Sequence, residues 1–236
     1  MSQKPLLQRL LTGEQDVSSL KVPYLSEGMS LRDYQKIAVA SFLTHPRLLL
    51  YDQVGMGKTL SSFAPFVIKK QKDNNLKFIY ATVISALGQA EEEFNKFFVG
   101  YKTVSVTAQC YFHNGEKVKN FSKKNSRENF WETQASQYDA IFIGHSLLKI
   151  DAKYIAYHLR PFVLVLDEAN YFKGINPLTG KCSDAHKKAK ALAKKSEATW
   201  LLTADPIENS LRDAYGLMSI IPVSYTHLTL PTTPYV

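Results

Sequence analysis

Cysteine is scarce in these 236 residues: Cys110 and Cys182 are the two present. Two thiols so far apart in sequence build neither a disulfide framework nor a metal-binding knuckle, which fits a reducing compartment. No apolar run approaches the roughly 20 residues of a membrane-spanning helix, and Met1-Ser2-Gln3-Lys4-Pro5 does not open a signal peptide. An intracellular protein with no membrane segment is expected. His45, His113, His145 and His186 lack metal-ligand spacing, so structural or solvent roles are expected for them. No internal repeat is visible. Acidic residues are in the minority: 21 Asp and Glu face 29 Lys and Arg, and the formal charge of +8 favours polyanionic partners, nucleic acid first among them. What is plentiful is apolar material, at 45% of the chain, enough for a sizeable core.

Residues 1–30 are broken by Gly13, Pro23 and Gly28 and read as a leader, in which Leu6, Leu7, Leu10 and Leu11 suit a short docking helix. From Leu31 onward the pattern alternates. It predicts a helix over 31–44, a strand at 48–51, a glycine loop, and a helix from Lys58 to about Lys72. A strand at 77–82 and a helix over 89–97 repeat the unit, and strands follow near 103–107, 140–143 and 163–166. Short apolar runs separated by helical stretches predict an α/β fold, a mostly parallel sheet with helices on both faces. Two segments interrupt this order. Residues 113–129, with Lys117, Lys119, Lys123, Lys124 and Arg127, read as an exposed basic insertion. Residues 181–195 carry six lysines around Ala185, Ala189, Leu192 and Ala193, a basic helix with a thin apolar face. Each is either a solvated face or a path for a phosphate backbone.

The chemistry concentrates in two places. Asp52-Gln53-Val54-Gly55-Met56-Gly57-Lys58-Thr59 follows a strand and opens a helix. Gly55 and Gly57 let the backbone curl so that successive N–H groups point inward, and the helix start adds partial positive charge. In such a loop Lys58 reaches the β- and γ-phosphates of a nucleotide and Thr59 holds Mg²⁺ through its hydroxyl, with Met56 and Leu60 completing the binding segment. The second place is the apolar run Phe162–Leu166, which ends in Asp167 and Glu168. Carboxylates at a strand's C-terminal end sit where open α/β sheets bind ligands. There Asp167 suits Mg²⁺ coordination and Glu168 suits polarising an attacking water. An adjacent acid pair also occurs as an ordinary helix cap, and the phosphate loop upstream favours the catalytic reading.

These residues resemble the N-terminal, RecA-like lobe of superfamily 2 helicases and translocases, in particular the Swi/Snf-like branch, with a further likeness to viral helicase-like NTPases. The resemblance covers about residues 31–221. It implies a three-layer P-loop NTPase lobe over 31–222 that uses ATP and Mg²⁺, with DNA a better-fitting partner than RNA. Leu31-Arg32-Asp33-Tyr34-Gln35 is similar to the opening segment whose glutamine reads adenine, a role that falls on Gln35. Ser85 to Phe94 resembles a segment that contacts the nucleic-acid backbone, implying Ser85, Leu87 and Gly88; Ile141 to Ser146 resembles a second such contact, implying His145 and Ser146. Trp200 to Asn209 is similar to the motif that couples the ATP site to strand movement, implying Thr203 and Ala204, with Asn170 as their partner in the acidic motif.

Three departures from the family pattern stand out. Ala90 replaces a Trp, Asn170 stands where His or Asp is common, and Asp205 replaces a Thr, so its carboxylate either faces away or alters activity. The family's motor also needs a second RecA-like lobe, for which the roughly 30 residues after Asp205 are too few. A truncated motor is therefore expected, followed by an uncharged, Thr- and Pro-rich tail at 223–236 that reads as a linker or a non-native segment. A non-catalytic nucleic-acid-binding module with a degenerate fold, and an RNA helicase, are the alternative readings.

Overall fold

In the computed structural model, residues 8, 16, 19–53, 55–113, 115–121, 124–176, 179–207, 211–221 and 228–229 are described. The elements in chain order are α1 (Asp33–Thr44), β1 (Arg47–Tyr51), α2 (Lys58–Lys70), β2 (Lys77–Thr82), α3 (Leu87–Phe97), β3 (Thr103–Val106), β4 (Cys110–His113) and β5 (Glu116–Asn120). They continue with α4 (Lys124–Thr133), β6 (Ala140–Gly144), α5 (His145–His158), β7 (Phe162–Leu166), α6 (Asp184–Ala193), β8 (Ala198–Thr203), α7 (Leu211–Met218) and β9 (Leu228–Thr229).

Among the described residues these strands form one sheet in the order β5-β4-β3-β6-β2-β7-β8-β1-β9. From β3 to β9 every pairing is parallel, and β4 and β5 add an antiparallel edge. Successive side chains of a strand point to opposite faces, so the continuous apolar strands feed two cores. Leu48, Leu50, Phe78, Tyr80, Val163, Val165, Trp200 and Leu202 pack under α1, α2 and α3. Leu49, Ile79, Ile141, Leu164, Leu166 and Leu201 pack under α4 to α7. Phe63 of α2 sits at the centre of the first core, its ring 5.1–6.0 Å from those of Phe78, Tyr80, Phe94 and Phe142. The three-layer α/β architecture expected from the alternation is the one observed.

The expected exposed insertion at 113–129 needs correction. It is a hairpin followed by α4, and Arg127 is buried in a charge network. Arg127 Nε and Nη2 donate to the two oxygens of Asp151 on α5 at 2.6 and 3.1 Å, and Trp131 Nε1 donates to the same carboxylate at 2.8 Å. A fork matched to a carboxylate satisfies both charges inside the core. Lys117 and Lys119 do remain exposed on β5. Trp131→Phe removes one donor to a buried carboxylate, and at this fully buried position the smaller ring also leaves part of the indole's volume unfilled. The expected loss is at least about 2 kcal/mol of unfolding free energy, the hydrogen bond to a charged group alone accounting for that much. Chemical denaturation checks this, and an unchanged midpoint would show that Asp151 does not need the indole.

Of the proposed basic helix at 181–195, α6 buries Ala189, Leu192 and Ala193 and leaves Lys187, Lys188, Lys194 and Lys195 in solvent. The proposed docking helix at Leu6–Leu11 lies outside the described residues except at Gln8, as does the tail apart from Leu228–Thr229. Those two residues pair in parallel with Leu49 and Leu50. No helix among the described residues is long and apolar enough to cross a membrane.

Candidate functional site

Parallel strands send their C-terminal ends to one edge, so the segments after β1, β2, β6, β7 and β8 converge there. The loop after β1 is shaped by two left-handed glycines, Gly55 at φ 87° and Gly57 at φ 74°. Gly57 also lies so close to the Gln35 amide that a Cβ at this position would run into Nε2. Gln35 itself is fixed by accepting the Arg32 N–H at Oε1, 2.9 Å, at the start of α1. Lys58 opens α2, and its ammonium donates to the carbonyls of Asp52 (2.7 Å) and Gln53 (2.9 Å), curling over the loop entrance. The Asp52 N–H in turn donates to the Thr203 carbonyl at 3.3 Å, tying this loop to the end of β8.

Asp167 follows β7 and is anchored at three points. Its N–H donates to the Ala81 carbonyl (2.8 Å), its Oδ2 accepts from the Thr82 hydroxyl (3.1 Å), and its carbonyl accepts from His145 Nε2 (2.7 Å). Burial lowers the His145 pKa, which favours the neutral ring with its proton on Nε2. Glu168 is exposed and adopts the left-handed region at φ 47°, a conformation that costs a non-glycine residue about 1–2 kcal/mol. The bend turns the chain away from β7 as soon as the two carboxylates have been presented.

A cavity of about 640 Å³ opens over these groups, and its lining includes Gln35, Gly55, Gly57, Lys58, Thr59, Leu60, Asp167 and Glu168. The expected binding residues thus meet in one place, with Met56 part of the same loop but not of the lining. Gln89, Glu93 and Lys96 of α3 also face the cavity. Sequence reasoning missed them, although their i, i+4 and i+7 spacing marks one helix stripe. Among the residues expected to couple the site to strand movement, Asn170 Nδ2 donates to the Asp205 carbonyl at 2.7 Å, and the Thr203 hydroxyl donates to the same carbonyl at 3.1 Å. Ala204 lies between them in the chain. The Asp205 carboxylate accepts from the Ile207 N–H at 2.9 Å, so it serves its own turn, and Asp205 is not part of the cavity lining.

Among the residues expected to touch nucleic acid, Ser85, Gly88 and Ser146 are exposed on this edge. Leu87 and His145 differ from the expectation. Leu87 is packed in the core beneath α3, and His145 is 4% exposed, its ring stacked on Tyr171 at 4.9 Å and held against Asp167. A side chain so placed positions its neighbours and does not reach a ligand in solvent.

The sequence model of the SNF2-related domain matches residues 16–229. The chain belongs to the SNF2-related family. Helicase SWR1 of Mycosarcoma maydis is 25% identical over 215 residues, which cover 89% of this chain and 10% of that protein. Chromatin-remodeling ATPase INO80 of Debaryomyces hansenii is 24% identical over 174 residues, 73% of this chain and 12% of the relative. This SNF2-related chain therefore spans about a tenth of the length of these curated relatives. The SWI2/SNF2 ATPase core of Sulfolobus solfataricus, solved in complex with dsDNA, superposes with a TM-score of 0.61 at 24% identity. The match covers 86% of this chain and 37% of that one. The fold shared with that core is thereby established, and with it the α/β class read from the alternation.

Proposed function

We propose that this SNF2-related chain is the ATP-binding lobe of a DNA-dependent ATPase that moves on DNA. The observation that carries the reading is the convergence of Lys58, Thr59, Asp167, Glu168 and Gln35 on one cavity at the C-terminal edge of the sheet. The donor set suits a nucleotide triphosphate with Mg²⁺. A lysine and the start of α2 offer positive charge to phosphates, and Thr59 and Asp167 offer hard oxygen ligands. No group of three or more His, Cys, Asp or Glu among the described residues could hold a metal, which fits an ion that arrives with the phosphates and keeps several waters. Mg²⁺ would neutralise charge on the β- and γ-phosphates.

Within this reading Gln35 orients the adenine and the loop N–H groups cradle the phosphates. Glu168 positions the attacking water and accepts its proton as the water oxygen bonds to the γ-phosphorus; the bond to the bridging oxygen breaks, leaving ADP and inorganic phosphate. Lys58 stabilises the charge that develops. Exposed Ser85, Gly88 and Ser146 would face the DNA backbone, and the Asn170–Asp205–Thr203 contacts would carry the state of the nucleotide toward them. A second RecA-like lobe would supply the remaining cations, so hydrolysis by this chain alone should be slow.

The test combines calorimetric titration of ATP, with and without Mg²⁺, with filter binding of duplex DNA. ATP binding should require Mg²⁺ for full affinity, and bound nucleotide should change DNA affinity. DNA binding that ignores nucleotide would favour the non-catalytic module, and equal stimulation of the two-lobed ATPase by RNA would favour an RNA helicase.

A further inference from the structure

Tyr80 is a fully buried polar residue beneath this site. It lies on β2 two residues before Thr82, so both side chains share the face of the sheet beneath α2. Its ring is wedged between Phe63, centroids 5.2 Å apart at 66°, and Phe142, 5.7 Å apart at 50°. The residue is 0% exposed, and its hydroxyl has no hydrogen-bond partner among the described residues. Yet Thr59 and Asp167 both lie near enough to that hydroxyl to influence it through hydrogen bonding, and Asp167 through its charge as well. A second observation locates where it points. A small cavity of about 90 Å³ lies under the nucleotide site, lined by Thr59, Tyr80, Thr82, Gln89, Glu93 and Asp167 among others. That is room for at least one water with several polar partners.

The proton count at this spot is informative. A threonine hydroxyl that gives a lone pair to a cation must turn its hydrogen away from it and find an acceptor. One oxygen of Asp167 already accepts from Thr82. We propose that Tyr80 is a positioning residue for the phosphate end of the site: the Thr59 hydroxyl donates to the Tyr80 oxygen, and the Tyr80 hydroxyl donates to the Asp167 carboxylate. Either link runs directly or through a water in the small cavity. Every proton in this relay has an acceptor. An unpaired buried hydroxyl destabilises a fold, and the relay is the state in which this one is paired.

The inference rests on the nucleotide reading above, and Tyr80→Phe separates the two. ATP affinity is measured by calorimetry in saturating Mg²⁺ and again in EDTA, alongside the melting temperature of the ligand-free protein. The variant should bind ATP about tenfold more weakly in Mg²⁺, the effect of losing one hydrogen bond to a charged group. In EDTA its affinity should match the unsubstituted protein, and its ligand-free melting temperature should be equal or higher. Unchanged affinity in Mg²⁺, or the same loss in EDTA, would overturn the relay while leaving the nucleotide site standing. Absence of Mg²⁺-dependent ATP binding by the unsubstituted chain would overturn the nucleotide reading and the relay together.

Discussion

Lys58→Ala is expected to remove ATP binding from the calorimetric range, a loss of at least 100-fold. Two effects combine. The ammonium is the side-chain cation at the start of α2, where it would meet the β- and γ-phosphates, and each charge-assisted hydrogen bond is worth roughly 1.5–3 kcal/mol. Two such contacts convert to about 100- to 10,000-fold in affinity. The same ammonium joins the carbonyls of Asp52 and Gln53, so its removal also loosens the loop that aims the backbone N–H groups. Lys58 is a partly exposed residue at a helix start, and its truncation should leave the fold intact, as circular dichroism would verify. ATP affinity that survives the substitution would remove this loop from the nucleotide site.

Glu168→Gln is expected to separate binding from turnover. Glutamine fills the same volume and tolerates the same bent backbone, and the residue is exposed, so Mg²⁺-dependent ATP affinity should stay within about twofold. What the amide cannot do is accept a proton from water. Removing a general base costs roughly 10²–10⁴ in rate, so on the proposed reading DNA-stimulated hydrolysis by this chain joined to a second lobe should fall by that factor. Retained turnover would take Glu168 out of the mechanism and shift attention to Glu93, the next carboxylate facing the cavity.

The strand, loop and helix that build the phosphate end were readable because each follows from a local rule: apolar runs form strands, glycines permit the curled loop, and a carboxylate pair stands where a strand ends. The strand expected at 77–82 is the one observed, and the helix expected from Lys58 ends two residues early at Lys70. The errors share a cause. In the sequence Arg127 reads with the lysines around it as a solvent charge, and its burial depends on Asp151, 24 residues away on a helix that packs against its own. His145 and Leu87 sit in segments that reach the ligand edge, but only the three-dimensional packing decides which side chains of those segments turn inward. Tyr80 failed to stand out for the opposite reason. In an apolar strand a tyrosine reads as core, and nothing local tells which way its hydroxyl faces.

The contact between Asn170 and Asp205 has a wider consequence. Its donor is an amide, which has no proton to gain or lose near neutrality, and its acceptor is a main-chain carbonyl, which every residue type provides. The link between the segment after β7 and the segment after β8 is therefore indifferent to acidity. Where a relative carries histidine at the first position, engagement would track the protonation of that ring through its ordinary range. In this chain the contact holds no titratable group, and the charge at 205 is taken up by the Ile207 N–H of its own turn.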